Sequence, residues 1–61
     1  MLIGDESFKV ICRYELLEVR TRLAKLEEAF KQATSDEVQS HLKFAIEHHK
    51  KKIQELEHKL M

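Results

Sequence analysis

The chain has no proline, no tryptophan, one glycine and one cysteine in 61 residues. So few turn-formers exclude a β-sandwich, which needs a turn signal at short, regular intervals. A lone cysteine excludes an intramolecular disulfide framework. Cys12 reads instead as a thiol in a reducing, cytoplasmic setting, with an intermolecular bridge as the alternative. Long apolar runs are also missing: "MLI" opens the chain, and nothing approaches the ~18 residues of a membrane span. That opening lacks a basic segment followed by an apolar one, so no secretory signal is expected. Neither sign of charge dominates, with 11 basic and 11 acidic side chains, six of each in residues 5–33 and five of each in 34–61. Bulk attraction to nucleic acid or anionic lipid is therefore not expected.

What remains is 43% hydrophobic and 36% charged, and it is ordered by helical periodicity. From Cys12 the apolar residues Leu16, Val19, Leu23, Leu26, Phe30 and Ala33 follow at spacings of 4, 3, 4, 3, 4 and 3. This is a heptad seam, with Leu16, Leu23 and Phe30 at a and Cys12, Val19, Leu26 and Ala33 at d. A second seam runs through Leu42, Ile46, His49, Ile53, Leu56 and Leu60, interrupted by one polar residue, His49, at d. The step from Ala33 to Leu42 is nine residues, which no continuous heptad accommodates. The intervening "ATSDEV" carries a helix start. Thr34 is the expected N-cap, Glu37 would complete a capping box, and Ala33 with Val38 would form a staple.

These features predict an all-α fold of one domain over residues 1–61: an antiparallel two-helix hairpin. Helix 1 is expected at about 5–33, a turn at about 34–35 and helix 2 at about 35–60. Folding back at the turn places Leu26 opposite Leu42, Leu23 opposite Ile46, Val19 opposite His49, Leu16 opposite Ile53 and Cys12 opposite Leu56. On the flanks, Glu27 would then meet Lys43, Arg13 would meet Glu57, and Glu15 would meet Lys52. Outward, Asp5/Lys9, Glu18/Arg22, Glu27/Lys31, Glu47/Lys51 and Glu55/Lys59 are expected i,i+4 pairs on a solvated face. A hairpin shields only part of its seam, so dimerisation into a four-helix bundle is expected.

Two places hold more than a hairpin needs. Leu2, Ile3, Phe8, Val10, Ile11, Tyr14 and Leu17 make the first third of the chain apolar around most of its circumference. They form the expected interface with a second copy or a larger protein, by helix-in-groove recognition. "SFKVIC" also has strand propensity, the less favoured reading. Arg20 is expected beside Lys50, a like-charge contact adjoining His48, His49, Lys51 and Lys52; this basic spot would suit an acidic partner or an RNA backbone. Phe44 falls at the outward f position and reads as packing in a bundle.

The remaining chemistry is sparse. Four histidines raise the question of a metal, yet no His pair has the i,i+3 or i,i+4 spacing of a helical site. Glu55 and His58 form a Glu-x-x-His, but at outward positions c and f, so no metal site is expected. Cys12 at a seam position reads as a core thiol and not a nucleophile. A glycine-rich phosphate loop is lacking and a thin hairpin offers no deep pocket, so no catalysis and no cofactor are expected.

The expected function is a non-enzymatic protein–protein interaction module: a regulator, adaptor or small chaperone. An RNA-binding or acidic-partner-binding hairpin dimer is one alternative, and a purely structural self-assembling protein is another. In architecture the hairpin resembles the plasmid copy-number hairpins that bind paired RNA loops, and the short helical-hairpin co-chaperones of secretion needles. Both likenesses are of shape, and no residue role follows from them.

Overall fold

A computed structural model describes residues 3–61, with side chains from Glu6 onward. Two α-helices make up the fold: α1, Ile3–Gln32, and α2, Asp36–Leu60. They lie antiparallel in a rod of 54 × 14 × 13 Å. The heptad seams explain both elements. Each apolar residue of either seam is buried or half-buried, and the charged residues between them stay exposed, with Lys52 half-buried. No strand forms among the described residues, so "SFKVIC" is helical, carried by the propensity of the long α1 that contains it.

The turn is made without glycine because no described residue takes a positive φ. Its cap lies one residue later than expected. Ser35, not Thr34, is the N-cap, with φ −91° and ψ 132°. Its Oγ accepts from the Val38 backbone N–H at 3.5 Å, and its carbonyl accepts the first helical bond from the Gln39 N–H at 2.9 Å. The third residue after this cap is Val38, which has no carboxylate, so the capping box expected from Thr34 and Glu37 does not form. Gln39 supplies a different tie: its side-chain Nε2 donates to the Ala33 carbonyl at 2.9 Å and closes the end of α1 onto the start of α2. Asp36 and Glu37 then sit in the first turn of α2, where the helix dipole favours negative charge. Ser35→Ala should lower stability by ~0.5–1 kcal/mol, the low end of the range because the capping bond is long. Thr34→Ala should leave the urea midpoint in place, and the reverse order of the two would reassign the cap.

The best-buried cluster contains Cys12, Leu16, Val19 and Leu56, with Ile53 and Leu60 packed against it. Ile46 is buried separately, nearer the turn. The ion pairs across the hairpin are other than the expected ones. Arg20 Nη2 donates to Glu57 Oε2 at 2.6 Å, so the partner of Glu57 is the arginine one heptad after the Arg13 expected for it. Glu27–Lys43 and Glu15–Lys52 do not form ion pairs either; the two that close among the described residues are Arg20–Glu57 and Glu18–Arg22.

The reason is geometric. Facing a with a and d with d, as the expected pairing does, sets a three-residue step on one helix against a four-residue step on the other, so alternate layers miss by one residue. Facing a with d keeps a single offset throughout, and knobs enter holes in every layer. The best-buried cluster fits that arrangement, with Leu56 among Cys12, Leu16 and Val19 and with Ile53 and Leu60 against them. An a-to-d alignment of this kind sets Cys12 level with Leu60, Leu16 with Leu56, Val19 with Ile53, Leu23 with His49, Leu26 with Ile46, and Phe30 with Leu42. α1 has 30 residues and α2 has 25, so in that alignment the first turns of α1 run past the end of α2. Lys9, on the seam side before Cys12, is charged and exposed, which suits a stretch with no helix opposite.

Candidate interaction surface

The seam occupies positions a and d of α1, which leaves b, c and f on the far side of the helix. Those positions carry Val10, Ile11, Tyr14 and Leu17, which are 55%, 58%, 68% and 64% exposed. Phe8, at g, is 49% exposed. Five large apolar side chains within three turns are thus presented to solvent, in a hairpin whose other apolar residues mostly line the seam. Single exposed apolar residues are ordinary, whereas a contiguous group marks a contact surface. Of the residues expected on this surface, Leu2 lies outside the described residues, and so does the side chain of Ile3.

The surface extends further along α1 than the apolar first third of the chain. Thr21 and Ala24, both exposed, continue Val10, Tyr14 and Leu17 along the same side of the helix. The Thr21 hydroxyl donates to the Leu17 carbonyl at 2.9 Å, so its polar group is satisfied within its own helix. The signal for this continuation lies in the spacing, masked by the small size of the residues involved.

On α2, Phe44 is 79% exposed. His41 and His48 lie about one turn to either side. The His41 ring hydrogen-bonds the Glu37 carbonyl through Nδ1 at 3.0 Å, which assigns the proton to that nitrogen because a carbonyl only accepts.

The basic residues expected in one spot lie among carboxylates. Arg20 is held by Glu57, with the two side chains 54% and 47% exposed. His48, His49 and Lys52 border a groove that also contains Glu15, Glu18 and Arg22. Lys50 borders another, with Lys31, Lys43, Glu27 and Glu47 around Phe30 and Ile46. Lys51 borders a third, beside Glu55, His58 and Lys59. Acidic groups sit in each groove, so the local field is mixed and not focused. His49 is half-buried at the seam, its Nδ1–H donating to the Ala45 carbonyl at 2.8 Å. His48 meets it edge-on, ring centroids 6.1 Å apart.

Cys12 is free and 3% exposed, walled by the Leu16, Val19 and Leu56 cluster. That burial shields it from oxidants and metal ions. Among the described residues no three His, Cys, Asp or Glu side chains converge as a metal site. No helix among them is long and apolar enough to cross a membrane. No protein-family model matches the chain, and neither a curated protein nor a solved structure gives a significant match to it.

Proposed function

We infer that this chain is a small non-enzymatic protein–protein interaction module that works in the cytoplasm as a regulator, adaptor or small chaperone. It acts through the outer face of α1. The observation that carries the reading is the exposure of Phe8, Val10, Ile11, Tyr14 and Leu17, each about half exposed or more, on a helix whose opposite face is already filled. An amphipathic helix needs one apolar face to fold, and a second one serves a partner. Tyr14 and Phe8 suit the centre of such a contact, because aromatic side chains cover a large area at low entropic cost. Self-association through the same face belongs to this reading, with two hairpins making a four-helix assembly. The dispersal of Arg20, Lys50, Lys51 and Lys52 among carboxylates favours this apolar mode over an RNA-binding one.

The test replaces Ile11 and Tyr14 by aspartate and follows sedimentation over a concentration series, with circular dichroism on the same samples. Both residues face solvent, so helicity should persist while association is lost. An unchanged assembly state in the double variant would remove this face from the function.

A further inference from the structure

Resting on the reading of the α1 outer face as the contact surface, the occupant of that face follows from a second heptad pattern and its charges. Val10, Tyr14, Leu17, Thr21 and Ala24 are separated by 4, 3, 4 and 3 residues, the alternation that also builds the seam. All five are exposed. A straight stripe of this kind along a helix is matched by another helix, since knobs of one enter the holes of the other. Its borders are charged in a definite order. Glu18 and Lys25 follow Ile11 on one side; Arg13, Arg20 and Glu27 follow Glu6 on the other.

We propose that this face takes a second copy of the chain, α1 against α1, antiparallel about a two-fold axis level with Val19. In that register Tyr14 lies over the partner's Ala24 and Leu17 over the partner's Thr21, so a large side chain meets a small one in the central layers, while Val10 lies at the edge of the contact beside the partner's Glu28. Glu18 falls beside the partner's Lys25 and Arg13 beside the partner's Glu27. By symmetry each of these pairs occurs twice, giving four attractive contacts on the borders. One like-charge contact remains, Arg20 against the partner's Arg20 near the axis. Each of those guanidiniums is already bonded to a carboxylate, Glu57 at 2.6 Å, which offsets the repulsion.

The competing arrangements lack this complementarity. Shifting the axis by half a heptad towards the N-terminus sets Glu18 on the partner's Glu18, Arg13 on the partner's Arg20 and Glu6 on the partner's Glu27. A parallel pairing sets Arg20 on the partner's Lys25, which cancels the attraction of Arg13 to the partner's Glu18. Border charges of this kind decide orientation and register where several alignments bury similar apolar area. The proposed register also overlaps nearly the whole of α1. The four helices then lie in the order α2, α1, the partner's α1, the partner's α2.

The experiment is a charge exchange read by sedimentation equilibrium, with circular dichroism to confirm that each variant keeps its helices. Glu18→Lys alone and Lys25→Glu alone should each raise the dimer dissociation constant by about tenfold or more, because each change occurs twice in the dimer. The double exchange, Glu18→Lys with Lys25→Glu, should restore it to within about threefold of the original. A dimer indifferent to the single changes, or not restored by the double one, overturns the register. A chain that stays at its 7.3 kDa monomer mass at every concentration overturns self-pairing altogether. These failures differ from failure of the underlying reading: loss of association in the Ile11→Asp, Tyr14→Asp variant without any response to charge exchange would retire the register alone.

Discussion

Leu56→Ala is expected to cost the hairpin ~2–5 kcal/mol, the range for a buried leucine whose surroundings relax only partly. Leu56 is the one fully buried large side chain among the described residues, 1% exposed. It packs in the cluster of Cys12, Leu16 and Val19, with Ile53 and Leu60 against it. A two-helix hairpin has no second layer to close over the cavity, so the upper half of that range applies. The total stability of a small domain is of similar size. Alanine at this position should therefore leave the chain largely unfolded at ambient temperature, seen as lost helical circular dichroism and a much lower urea midpoint. Phe44→Ala provides the contrast. It removes a larger side chain, but one 79% exposed, and should move stability by no more than ~0.5 kcal/mol. Equal midpoints for the two variants would mean that stability does not reside in the seam.

His49→Leu should change stability in the other direction, by about 1 kcal/mol, roughly half of what full burial of a leucine contributes because the site is half-buried. The histidine interrupts an otherwise apolar seam. Its single hydrogen bond goes to the Ala45 carbonyl, one turn back in its own helix, at 2.8 Å. That carbonyl also accepts the backbone N–H four residues on, as any helical carbonyl does. Removing the imidazole leaves no buried group unpaired, so the usual penalty for deleting half of a hydrogen bond does not arise. A urea midpoint above that of the parent checks this expectation. A midpoint below it would show that the imidazole holds α1 as well as its own helix.

Most of what positions the candidate surface is legible in the amino-acid spacing alone. The faces of both helices follow from the recurrence of apolar residues, and exposure of Val10, Ile11, Tyr14 and Leu17 follows from their places off the seam. The basic spot is not legible in the same way, because it depends on which residues stand opposite one another. An alignment that faces a with a sets Arg20 against Lys50; in the fold Arg20 meets Glu57. The alternation in that alignment, one residue between successive layers, is itself a sign that a should face d.

The amino-acid sequence by itself determined that there are two helices, which residues fill their seams, and that the chain reverses near residue 34. These are local properties: heptad spacing, polar capping groups and a missing heptad step act within a few residues of chain. Tertiary structure alone decided the register and, with it, the partner of Arg20. Any slip by a whole heptad returns leucines and isoleucines to similar neighbours, so the apolar pattern barely distinguishes one alignment from the next. The choice falls to contacts that join the two helices: the Gln39 tie to Ala33 across the turn, and the ion pair from α1 to α2.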